Sequence, residues 1–158
     1  MNTPIYFITD FEEVCKSQSI FTDKKTGIQR DKIFTKFCLT FLDIPLLSKQ
    51  VDSPPLWDFF TNDITGVHLP NASSCRERFL DLIPNKENVY FIFEPEFSKD
   101  IYFFTSLKQL VDVLKDCYNF NFYIFDVEFS FLLSWEAYET LFAYGEAKKW
   151  LKQIDDIW

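Results

Sequence analysis

The stretch NFNFYIFDVEFSFLLSWEAYETLFAYG, Asn119 to Gly145, decides the fold. It breaks into three runs rich in aromatic and β-branched residues: Asn121–Phe125, Phe129–Trp135 and Thr140–Tyr144, with Gly145 ending the last. Such runs read as strands. The gaps between them hold only a few residues, which favours antiparallel neighbours over crossover connections. Phe122, Ile124, Phe129, Phe131 and Leu133 are expected in the core of the sheet. Asp126, Glu128, Glu136 and Glu139 are expected on an acidic outward edge, together with Trp135 and Tyr138 of the SWEAYE segment.

Working outward, Asn88–Phe93 and Ile101–Phe104 read as two further strands, joined by the acidic connection Glu94–Asp100 with Glu94 and Glu96. Ser106 and Gln109 form a capping-box pattern. Leu107, Leu110, Val111 and Leu114 follow at i, i+3, i+4 and i+7, one stripe of a helix. After Gly145, Glu146–Ile154 reads as a closing helix with Ala147, Trp150, Leu151 and Ile154 on one face.

Toward the N-terminus, Pro4–Ile8 reads as a short strand or extended arm, followed by a helix capped at Thr9 or Asp10. Thr22–Arg30 reads as a charged loop. A helix follows from Asp31, with Ile33, Phe34, Phe37, Cys38, Phe41 and Leu42 on one stripe. Beyond the proline-interrupted Ile44–Pro55, Ser53-Pro54 opens a short helix through Trp57 and Phe60. Asn62–Asn71 reads as loop, and Ser74–Glu77 caps a helix that stops at Pro84. The expectation is one α+β domain over residues 1–158, a mostly antiparallel five-stranded sheet with helices packed on it.

Composition narrows the functional classes. The chain has 158 residues, enough for one domain, with 20 Phe, 7 Tyr, 4 Trp and only 3 Gly. So few glycines leave no phosphate-cradling glycine loop. GxGxxG, GxxxxGK[ST], HExxH and the EF-hand pattern are all absent. The net charge is −8. Between Glu94 and Glu139 nine acids face three bases, so six of the eight net charges lie there. That charge disfavours nucleic acid and anionic membrane as partners and attracts a basic one; it also serves simply to keep an aromatic-rich chain in solution.

Cys15, Cys38, Cys75 and Cys117 are widely spaced and form no CxxC, and His68 is the only histidine. No zinc set is expected, and Cys15, Cys38 and Cys117 read as free buried thiols. The start MNTPIYFITDFEE has no basic region followed by a long apolar one, so a cytoplasmic location is expected. No cofactor is expected, and a monomer is expected.

Two local constellations carry chemistry. Asp126 and Glu128 at i, i+2 share one face if they sit on a strand, and two carboxylates there could hold a divalent cation or serve glycosidic acid/base work; a solvated or partner-facing strand end accounts for them equally. Trp135 among carboxylates suits a basic protein partner, with cation–π contact from arginine adding to it; a rim tryptophan accounts for it too.

At FYIFDVEFSFLLSWEAYETLFAYG the sequence resembles small bacterial immunity proteins of polymorphic and contact-dependent growth inhibition toxin systems. In many of these an acidic-ended strand precedes a Trp-Leu-Leu run, a polar tip and a short strand ending in Gly. Phe131-Leu132-Leu133 stands at the Trp-Leu-Leu, Ser134 at a Cys, Glu139 at an Asp and Gly145 at the closing Gly. Ala137 and Tyr138 replace a His-His pair, so any role of those histidines does not carry over. The resemblance covers the C-terminal third to half, and residues 1–70 lie outside it. It implies a non-enzymatic protein that binds one cognate toxin domain, commonly basic and often a nuclease, and occludes it through the acidic residues Asp126, Glu128, Glu136, Glu139, Glu94 and Glu96 with Trp135 and Tyr138. The competing readings are a metal-dependent enzyme using Asp126 and Glu128, and an acidic regulatory or adaptor domain.

Overall fold

The computed structural model describes residues 6–20, 22–43, 55–69, 78–137 and 140–157. The elements run α1 (Tyr6–Ser17), β1 (Asp23–Lys25), α2 (Gly27–Phe41), a 3-10 turn (Leu56–Phe59), β2 (Thr65–His68), β3 (Glu87–Ile92), β4 (Ile101–Ser106), α3 (Leu107–Lys115), β5 (Phe122–Asp126), β6 (Phe131–Glu136), β7 (Thr140–Gly145) and α4 (Ala147–Ile157). A further helical stretch covers 78–82. The strands form one antiparallel sheet in the order β1-β4-β3-β5-β6-β7-β2.

The central strands are apolar on both faces because both faces are covered. Side chains alternate across a strand. Phe122, Ile124, Phe131, Leu133 and Trp135 pack with Phe11 of α1, Leu110 and Leu114 of α3 and Trp150 of α4. Tyr123, Phe125 and Leu132 pack on the other side with Phe37 and Phe41 of α2 and with Leu56 and Phe59 of the 3-10 turn. The result is three layers: helices, sheet, and a thinner second cover.

Ring geometry ties the layers together. Phe11 stacks on Phe91 with centroids 4.6 Å apart, and Phe37 lies 4.9 Å from Phe125. Each such pair contributes about 0.5–1.5 kcal/mol beyond its buried area. Ser106 caps α3 as its sequence implies, its hydroxyl accepting from the Gln109 amide.

Among the described residues, seven strands replace the expected five. The two extra ones, β1 and β2, are the short edges of the sheet. Their sequences, DKK and TGVH, have no apolar alternation to reveal them; they exist through backbone pairing to β4 and β7. Short, charged or polar edges are how sheets resist further pairing. The expected loop Thr22–Arg30 therefore holds β1 and the start of α2, and Asn62–Asn71 holds β2.

Tyr6–Ile8 begins α1 and is not an extended arm. Phe7 and Phe11 stand one helical turn apart and join the same core. Asp10 lies inside that helix, and its carboxylate accepts the Tyr118 amide at 3.1 Å, tying α1 to the end of α3. The expected caps at Ser53 and Ser74, and Cys75, lie outside the described residues. Cys15 and Cys117 are buried, while Cys38 is half-buried.

Candidate functional site

The register of β5, β6 and β7 divides the acidic residues between opposite ends of the sheet. Val89 pairs with Asp126, and Phe131 pairs with Gly145, at one end. Phe122 pairs with Trp135, and Glu136 with Thr140, at the other. Asp126 and Glu128 thus sit at the β5–β6 turn. Glu94, Glu96 and Glu136 sit at the far end, with the strand starts of β4, β5 and β7. The expected single acidic edge does not exist, because consecutive hairpin turns necessarily alternate between the ends of an antiparallel sheet.

At the β5–β6 turn the chemistry is structural. β5 stops at Asp126, so Asp126 and Glu128 do not share a strand face. The Asp126 carboxylate accepts the Ser130 amide at 2.6 Å, the Phe131 amide at 3.2 Å and the Ser130 hydroxyl. Hydrogen bonds to a charged acceptor contribute about 1.5–3 kcal/mol each where buried, and less at this half-buried site. They hold a turn in which Phe129 takes a left-handed backbone, φ 57°. Its ring packs 5.3 Å from Phe125, and Lys36 lies 4.7 Å over it. Glu128 is exposed in the turn.

Trp135 is not an exposed anchor. It is 0% exposed. Its indole N–H donates to Asn119 Oδ1 at 2.8 Å, and its ring lies 4.8 Å from Phe79. Phe131, Leu133 and Trp135 share one face of β6, and that face is core. Glu94 is also inside, 3% exposed. One carboxylate oxygen accepts the Tyr123 hydroxyl and the other the Leu56 amide at 3.2 Å. Burial pushes its carboxyl up to about 7; the hydrogen bonds from Tyr123 and Leu56 oppose that, and the charges of Glu96 and Asp58 add to it. Tyr123, buried beside it, is held well above its ordinary range by burial and by the Glu94 charge. Glu96 is exposed and Glu136 half-buried. Tyr138 and Glu139 lie outside the described residues.

Around this end the structure assembles residues that the sequence reading passed over. Three of the large apolar residues that remain exposed, Tyr6 (61%), Phe97 (41%) and Tyr118 (61%), gather here. Tyr6 meets Tyr118 edge-on at 5.5 Å. Phe7 meets Phe97 edge-on at 5.3 Å and stacks on Phe120 at 5.5 Å. A cleft of about 170 Å³ opens among Tyr6, Phe7, Glu94, Phe97, Asn121 and Ala137. Its floor is fixed: Asn119 Nδ2 donates to the Ala137 carbonyl at 2.6 Å, and the Ala137 amide donates to Asn121 Oδ1 at 2.7 Å. The signal in the sequence was aromatics set directly against polar and acidic residues, EPEF and DCYN.

Among the described residues, no group of three or more His, Cys, Asp or Glu side chains is placed to hold a metal ion. Nor is any helix among them long and apolar enough to cross a membrane.

These features define a three-layer α+β domain with an aromatic, acid-rimmed surface at one end of its sheet. The chain belongs to a family of unknown function, DUF6756, whose sequence profile matches residues 7–155. No curated protein and no solved structure matches it.

Proposed function

We propose that this protein is an immunity-type inhibitor: a cytoplasmic, monomeric, non-catalytic domain that binds a basic toxin domain and blocks its active site. The observation that carries the reading is the convergence of exposed Glu96 and half-buried Glu136 with exposed Tyr6, Phe97 and Tyr118 at one end of the sheet. Aromatic anchors in a charged rim are the composition of binding surfaces. The net charge of −8 raises the association rate with a basic partner. The β4, β5 and β6 ends beneath hold that surface on a rigid base. The resemblance of Asn88–Gly145 to immunity proteins points the same way.

The metal-enzyme reading has less support, because the Asp126 carboxylate is taken up by three donors of its own turn and Glu128 does not stand beside it on a strand.

The reading predicts that the gene immediately upstream encodes a large secreted protein with a toxic C-terminal domain. Co-expression of that domain with this chain should restore growth, and the two purified proteins should form a one-to-one complex that competes with the toxin's substrate. A toxin that stays active in the presence of excess chain, or an upstream gene of ordinary metabolism, contradicts the proposal.

A further inference from the structure

We propose that the cleft between Phe7, Phe97 and Asn121 receives one arginine side chain of the bound partner. This deepens the inhibitor reading and rests on it for the partner's identity.

Size decides the class of occupant. Small-molecule sites run to roughly 300–1,000 Å³; this cleft, about 170 Å³, suits a single side chain. Its walls decide the chemistry. Tyr6, Phe7 and Phe97 line it with aromatic rings; Phe120 stacks on one face of Phe7, while Tyr6 and Phe97 are exposed, and aromatic faces attract cations. Arginine stacks on such faces through its planar guanidinium and is more weakly hydrated than lysine, so it enters an aromatic cleft at lower cost.

The cleft has acidic character. Glu94 lines it, with a side chain that accepts from Tyr123 and Leu56 and has no cationic group among its interacting neighbours within the described residues. The charged neighbours that act on it, Glu96 and Asp58, are both acids. A guanidinium brought here is attracted by Glu94, which lines the cleft, and favours the ionised form of its carboxyl. Asn121 and Ala137 are held by their mutual hydrogen bond, so the polar wall is already ordered before anything binds.

The test uses the isotopically labelled full chain and two probes, N-acetyl-arginine methylamide and its neutral isostere N-acetyl-citrulline methylamide, at millimolar concentrations. The arginine probe should shift the amide resonances of Phe7, Phe97 and Asn121, and the citrulline probe should bind about fivefold more weakly or less. Phe97→Ala should weaken the arginine probe by a similar factor while leaving the melting temperature close to that of the parent, since the ring is 41% exposed. Equal shifts from both probes, shifts confined to other residues, or a Phe97→Ala variant that binds as before would overturn the cleft assignment. Neither probe involves a toxin. A failed probe titration beside successful growth rescue removes the cleft assignment alone, whereas saturable arginine binding beside failed rescue removes the inhibitor reading alone.

Discussion

Glu94→Gln should make this protein more stable at pH 8 than the parent and leave it nearly unchanged at pH 5. The carboxyl of Glu94 stands at about 7 in the fold, raised from 4.5, with burial as the main cause. Below about pH 4.5 it is protonated in both the folded and unfolded chain, and its stabilising form is fully present. Between about 4.5 and 7 the folded state keeps a proton that the unfolded state has lost, so stability falls as pH rises, by up to about 1.4 kcal/mol per pH unit. Above about 7 the loss is complete and amounts to about 3 kcal/mol. Gln keeps an oxygen for the Leu56 amide and offers its NH₂ to the Tyr123 oxygen without ever ionising. Denaturant unfolding of both proteins from pH 5 to 8.5 isolates Glu94 together with the groups coupled to it, Glu96, Asp58 and Tyr123, because the titrating groups that do not interact with it cancel in the difference. For a chain of this length about 3 kcal/mol corresponds to about 6–12 °C in Tm. A difference that stays flat with pH, or that favours the parent at pH 8, refutes the burial argument.

Three further substitutions test the packing. Trp135→Ala should cost about 3–5 kcal/mol, measured by chemical unfolding, because the ring is wholly buried and its N–H serves Asn119; a surface tryptophan would cost far less. Gly145→Ala should cost more than about 3 kcal/mol: the residue sits at φ +63°, and a Cβ there would meet the Ser130 carbonyl oxygen at 2.1 Å. Ser134→Ala should be neutral or stabilising by up to about 1 kcal/mol, since the Ser134 hydroxyl is buried with no hydrogen-bond partner among the described residues.

The order from β3 to α4 was legible because local signals agree there. Period-two aromatic runs marked the strands, and Leu107, Leu110, Val111 and Leu114 with the Ser106 cap marked α3. The edges β1 and β2 were not legible, since DKK and TGVH become strands only by pairing with β4 and β7. The burial of Glu94 was beyond sequence reading for a similar reason: its partners Tyr123 and Leu56 lie 29 and 38 positions away.

The separation of the acids was in the sequence. Two successive hairpins place FDVEF and SWEAYE at opposite ends of the sheet, so Asp126 and Glu136 could never share an edge. Likewise Phe131, Leu133 and Trp135 share a period-two face, which places Trp135 with the core. Treating acidity as a property of the segment, and not of each turn, obscured both points.

The most direct test of the binding account compares charge reversal at the two ends of the sheet. Glu96→Lys combined with Glu136→Lys alters the proposed surface; Glu128→Lys alters an exposed residue of the β5–β6 turn at the opposite end. Association with the basic domain encoded upstream should be measured at low and at physiological salt. The double reversal should slow association at least about tenfold at low salt and flatten its salt dependence, while Glu128→Lys leaves the affinity within about twofold. Equal losses from both variants, or a loss confined to Glu128→Lys, would contradict the placement of the partner at the Glu96–Glu136 end.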